Sequence, residues 1–177
     1  MIRAAFARSL LVAAFLPAAA HADAPCLPLG GQIALCPENS VWAGAAAIPG
    51  DSETRAFEAP PFYLEAMRGL VDRAEFATAD AALTMIESML TEEALGEGEA
   101  APARRQRDTI VTDHATIAFD LFTEVMAGEE YPLAVLLTED NDVWLTLLLS
   151  GDEPMDADDF EQAARDLAAA LRPATEE

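Results

Sequence analysis

The side chains here with chemistry to offer are two histidines, two cysteines, six methionines and 32 carboxylates. Their spacing excludes more than it permits. His21 falls in an N-terminal stretch read below as a cleaved leader, which leaves His114 as the single imidazole of the remaining chain. Sites needing two or more imidazoles, the HExxH zinc motif among them, are therefore excluded. Lysine is absent, which removes Schiff-base chemistry and the phosphate-binding lysine of a P-loop. No CxxC, CxxCH or GxSxG occurs. Asp113 beside His114 has the composition of a base with its orienter. Adjacent side chains rarely converge, however, and both residues suit a tight turn. No catalytic, cofactor-binding or metal-ligating residue is assigned, and no cofactor is expected.

Two acidic clusters, Glu139-Asp140-Asn141-Asp142 and residues 152–159, invite a calcium reading. Neither has the DxDxDG spacing that converges oxygens on one ion, and a hairpin tip and a helix start account for them. Met85 and Met89 lie one helical turn apart, the spacing of a thioether copper pair, but on or beside an apolar helix stripe. Arg104, Arg105 and Arg107 could clamp an anion. The plainer account is a solvated loop balancing an acidic surface. Cys26 and Cys36 are expected to form a disulfide, with Pro28-Leu29-Gly30-Gly31 supplying the turn between them. A loop this short contributes roughly 3 kcal/mol on the chain-entropy model.

Arg3 and Arg8, the apolar run Leu10–Leu16, Pro17 and the small residues of Ala20-His21-Ala22 read as an export signal over residues 1–22. The apolar run is too short to span a bilayer, which needs about 20 residues. Without the leader, 8 basic residues face 32 acidic ones, a net of −24. Such a field repels nucleic acid and anionic lipid. Just over half of the chain is hydrophobic, so a core can form. The expected division is a signal peptide at 1–22, a disulfide-containing segment at 23–60, an α+β core at 61–173 and a disordered tail at 174–177, with one mature domain.

Residues 37–60 read as irregular structure with short strands, with Val41 and Trp42 dipping into the core. Beyond Pro60-Pro61, residues 62–74 allow two readings. Apolar residues recur at helical spacing, but Gly69 weakens a helix and an extended form remains open. A helix capped by Thr78 or Asp80 should bury Ala82, Leu83, Ile86, Met89 and Leu90 and end before Gly96. Residues 96–107 read as a polar connection. Strands are expected at 109–112 and 115–119 about an Asp113-His114 turn. A hairpin should join Leu133–Thr138 to Val143–Leu149, with Thr138 opposite Val143. One hairpin face then carries Leu133, Val135, Leu137, Trp144, Thr146 and Leu148. The other carries Ala134, Leu136, Val143, Leu145, Leu147 and Leu149. Both are apolar, so helices or a partner chain should cover both sides. The last helix is capped by Asp156, presents Phe160, Ala164, Leu167 and Leu171 inward, pairs Glu161 with Arg165, and stops at Pro173.

Thr109-Ile110-Val111, Asp142-Val143-Trp144-Leu145-Thr146-Leu147 and Asp158-Asp159-Phe160 leading to Leu171 resemble the second half of PsbP-like and DcrB-like domains. Those are small secreted or lumenal α+β proteins. The chain also resembles small periplasmic proteins of high-GC proteobacteria. The resemblance covers about a third of the chain and implies an accessory or binding role rather than catalysis. The expected fold is thus a single α+β domain, an antiparallel sheet covered by helices on both faces. The expected function is that of an exported, acidic, noncatalytic periplasmic binding or accessory protein. Its partner would be a basic protein surface or an envelope component, met by Glu139, Asp140 and Asp142 at the hairpin tip; self-association is compatible with it. The alternative is a carboxylate-dependent hydrolase of the cell envelope, since acids are the abundant catalytic groups left.

Overall fold

The computed structural model describes residues 26–37, 40–49, 54–126 and 128–174. The expected leader at 1–22 and most of the expected tail at 174–177 lie outside these residues. Ten strands and two helices appear among them, with all strand pairings antiparallel.

A small sheet joins β1 (Leu27–Gly30), β2 (Ile33–Leu35) and β10 (Leu171–Pro173) in the order β1-β2-β10, so the two ends of the described chain pair with each other. A larger sheet has the order β3-β4-β5-β9-β8-β7-β6. Its strands are β3 (Ala46–Ile48), β4 (Thr54–Ala59), β5 (Phe62–Arg68), β6 (Ala103–Val111), β7 (Thr116–Met126), β8 (Glu129–Asp140) and β9 (Val143–Gly151). Helix α1 is Ala79–Glu97 and α2 is Ala157–Ala170.

The residues at 62–68 are strand, not helix. Phe62, Leu64 and Ala66 are buried while Tyr63, Glu65 and Met67 are half-buried, a period of two that fits a ladder between β4 and β9. Residues 103–107 are also strand rather than connection, so Arg104, Arg105 and Arg107 stand on the edge strand β6. Charged side chains are a usual protection of such an edge. Trp42 is fully buried in a single 3-10 turn, Val41–Gly44, capped by Ser40, whereas Val41 is exposed.

The β8–β9 hairpin is tighter than expected. Asn141 and Asp142 alone make its turn, both at positive φ (51° and 61°), and Asp140 rather than Thr138 faces Val143. Paired left-handed residues at a two-residue turn match the twist of the flanking strands. The register differs from expectation by two positions, an even shift, so the residues sharing each face are as expected. Leu64, Leu149, Ala134 and Leu121 form one cross-strand row, and Ala66, Leu147, Leu136 and Phe119 the next. These rows belong to an apolar cluster that includes Phe160, Ala164 and Leu167 of α2, together with Trp42, Phe57 and Phe62. The alternate residues Leu133, Val135, Leu137 and Trp144 cluster with Ala82, Leu83 and Ile86 of α1.

Helix ends follow expectation in part. The Thr78 hydroxyl accepts from Ala81 N–H, and the helix runs on to a left-handed Gly98 rather than stopping before Gly96. Met85 is exposed and Met89 half-buried, so neither belongs to the fully buried stripe. Asp156 caps α2, and Glu161 meets Arg165 at 2.7 Å. That helix ends at Ala170, because Leu171 turns extended (φ −70°, ψ 133°) to pair with β2, before Pro173 is reached. No helix among the described residues is long and apolar enough to cross a membrane.

Candidate functional site

Three turns meet at one end of the larger sheet: the β8–β9 tip, the β6–β7 turn holding His114, and the Gly31 turn of the small sheet. Asp140 ties the first of these to the third. Its side chain is 1% exposed and accepts from Arg68 Nε at 2.8 Å and from Gln32 N–H at 3.0 Å. Gly31 passes so close, at φ +59°, that a Cβ there would lie 1.8 Å from Asp140 Oδ2. Only glycine fits that position. Glu139, the next acid, meets Arg73 at 2.9 Å, and the Arg73 guanidinium lies 4.9 Å over the Trp144 ring. The Trp144 indole donates to Phe76 O at 2.8 Å. Asp142 is exposed. Of the three acids expected to meet a partner, Asp140 is therefore internal, Glu139 half-committed and Asp142 open.

Between these turns lies a cleft of about 490 Å³. Its polar lining includes Gln32, His114, Thr138, Glu139, Asn141 and Arg172, and its apolar lining Ile33, Leu137, Trp144 and Leu171. An adjoining cleft of about 460 Å³ is lined by Cys26, Cys36, His114, Arg172 and Pro173. Cys26 and Cys36 are joined by a disulfide, as expected. His114 sits in the β6–β7 turn with its own N–H donating to Thr112 Oγ1 at 3.2 Å. His114 lines both clefts.

Two of the arginines expected to be loop cations, Arg104 and Arg107, hold α1 to the sheet. Arg107 donates through Nε and Nη2 to both oxygens of Asp120, at 2.7 and 2.6 Å, and reaches Asp80 of α1 at 2.5 Å. The Asp120 side chain is fully buried. This bidentate pair, with Asp80 added, holds the guanidinium pKa well above its ordinary value. Arg104 meets Glu87 of α1 at 2.8 Å. Arg105 is exposed and has no ion-pair partner among the described residues. An acid within the apolar run Ile117–Phe122 was the available sequence signal for this pairing, because a buried carboxylate demands a cation.

Two carboxyls are perturbed. The Thr109 N–H, and then Arg165, hold Asp108 below the usual carboxylate range. Burial, followed by the like charges of Glu99 and Glu93, pushes Glu124 up. Among the described residues, no three His, Cys, Asp or Glu side chains are gathered as a metal-holding group.

No protein-family model matches the chain, and no curated protein matches it by sequence. Solved structures do. The cyanobacterial PsbP (CyanoP) of Synechocystis sp. PCC 6803 is similar with a TM-score of 0.57 at 10% identity, over 80% of this chain and 86% of that one. LpqN of Mycobacterium tuberculosis, described as involved in cell envelope biogenesis, is similar with a TM-score of 0.50 at 11% identity. That match covers 82% of this chain and 85% of LpqN. At such identities the likeness is one of fold. The chain has a PsbP-like α+β fold.

Proposed function

We propose that the protein is an exported, noncatalytic binding or accessory protein of the periplasm, built as one domain with a helix over each face of its larger sheet. The observation that carries this reading is the state of the acids at the hairpin end. Asp140 and Glu139 already answer Arg68 and Arg73, so they fix the shape of the rim instead of being poised for proton transfer. A rigid cleft with preset polar groups favours recognition. The disulfide suits an oxidising compartment, and the envelope description of LpqN agrees with that placement. Glu139 and Asp142 supply the outward charge of the tip, and the partner is basic where it touches them. Periplasmic extract passed over the immobilised protein should yield a retained protein that elutes as salt rises. Glu139→Gln/Asp142→Asn should retain it several-fold less well, since exposed charges are screened over about 8 Å at physiological salt. Retention equal in both proteins and at all salt concentrations would sink this role for the tip.

Glu124 favours the runner-up, a carboxylate-dependent envelope hydrolase, because burial and like charge push its pKa upward, the direction a general acid needs. Turnover of purified envelope glycan that disappears in Glu124→Gln would transfer the assignment to that reading.

A further inference from the structure

In a chain of net charge −22, a cation without a carboxylate stands out. Arg68, Arg73, Arg104, Arg107 and Arg165 each meet at least one acid within 3.1 Å. Arg55, Arg105 and Arg172 meet none among the described residues; Arg55 and Arg105 are exposed and outside both clefts, whereas both clefts include Arg172. The Arg172 Nη1 donates to the carbonyls of Ala169 and Leu171 at the end of α2, and its Nε and Nη2 have no partner there. A helix end carries about half a unit of negative charge, so a net positive charge remains. The imidazole of His114 likewise has no hydrogen-bond partner among the described residues. Both residues line both clefts. The acids in the larger cleft are Glu139 and Asp140, each offset by its own arginine. The rest of the lining is the amides of Gln32 and Asn141, threonine hydroxyls, and apolar surface including Leu137, Trp144, Ile33 and Leu171.

We infer that this cleft binds a small amphipathic acid, its carboxylate held by Arg172 and His114 and its apolar body lying against Leu137 and Trp144. The volume of about 490 Å³ falls within the range of about 300–1,000 Å³ typical of small-ligand sites. A guanidinium with two free donor nitrogens matches a carboxylate bidentately. The inference rests on the binding reading above and names a ligand class for its cleft.

Octanoate, octanol and octyltrimethylammonium serve as probes, titrated calorimetrically into the disulfide-bonded protein. Octanoate should bind at least about tenfold more tightly than octanol, and the ammonium should bind weakest of the three. Arg172→Gln should weaken octanoate by about tenfold or more while leaving octanol nearly unchanged, Arg172→Lys should recover part of the loss, and His114→Gln should cost less. Thermal melts establish that each variant is folded. Independently of any variant, octanoate should shift the NMR signals of the His114 ring and the Trp144 indole. Equal affinity for octanoate and octanol would overturn the inference. So would unchanged octanoate binding in folded Arg172→Gln, unmoved His114 and Trp144 signals, or no octanoate binding up to about 10 mM. If octanoate fails while salt-sensitive protein retention succeeds, the ligand class is wrong and the broader reading survives. If both fail, both fall.

Discussion

Helix α2 buries six of its 14 residues, whereas the longer α1 buries three of 19. The cluster containing α2 gathers Trp42, Phe57, Phe62, Phe119 and Phe160 with leucines from both sheets. The cluster containing α1 is smaller, and ion pairs supplement it: Arg107 with Asp120 and Asp80, Arg104 with Glu87. One region is held by apolar area removed from water, which has no preferred direction. The other is held at a few points by charge-assisted bonds that fix position but respond to salt and to the loss of a single partner. Two helices on one sheet can thus differ in what loosens them.

The largest effect should come from placing a charge in each cluster. Leu145 is fully buried on the α2 side, and Leu145→Asp should cost several kcal/mol, a large share of the stability of an ordinary domain. Trp144→Asp, on the α1 side, also loses a hydrogen bond, but the new carboxylate arrives beside Arg73, so its penalty should be smaller. Urea melts of the two variants rank them. If Trp144→Asp is the more damaging, or either melts within about a degree of the parent, the contrast between the clusters is broken.

Asp120→Asn sharpens the comparison. Removing a fully buried charge partner costs about 3 kcal/mol, the lower end of the usual range because Arg107 keeps Asp80. Hydrogen exchange should quicken in α1 and β6 while α2 stays protected. Equal acceleration in both helices would mean that the ion pairs do not anchor α1 separately.

The smallest effect concerns Glu124. Its pKa is raised in the folded protein, so the folded state is favoured while the group is protonated and loses that advantage as pH climbs through the raised value. Glu124→Gln should therefore raise the melting temperature by about 1–3 °C at pH 7 and leave it nearly unchanged at pH 4. A stabilisation that is the same at both pH values would point to something other than ionisation.

The elements easiest to read from sequence were those whose burial repeats cleanly. The hairpin faces survived a register error because strand parity depends only on whether the shift is even or odd. Helix α2 showed both its cap and its stripe. Residues 62–68 were ambiguous because Phe62, Tyr63, Ala66 and Met67 satisfy a helical spacing as well as an extended one; the neighbours β4 and β9, distant in sequence, decide the matter. Residues 103–107 of β6 read as a connection because a charged edge strand lacks an apolar alternation, whereas Thr109–Val111 at its far end read as strand. The cleft was hardest to foresee. His114 and Arg172 lie 58 positions apart, and the fold brings them together only through the pairing of β10 with β2.

That pairing also has a temporal consequence. β2 lies near the start of the described chain and β10 at its end, and Ala174 N–H donates to Gln32 O at 2.7 Å. A contact spanning such a length of chain closes slowly compared with local turns. A chain emerging from a ribosome or a translocation pore in either direction must therefore hold one edge of the small sheet open until the opposite terminus arrives. Since that sheet contributes Ile33, Leu171 and Arg172, the cleft is finished only when the last strand docks. A nascent or truncated chain would carry most of the core but an incomplete cleft.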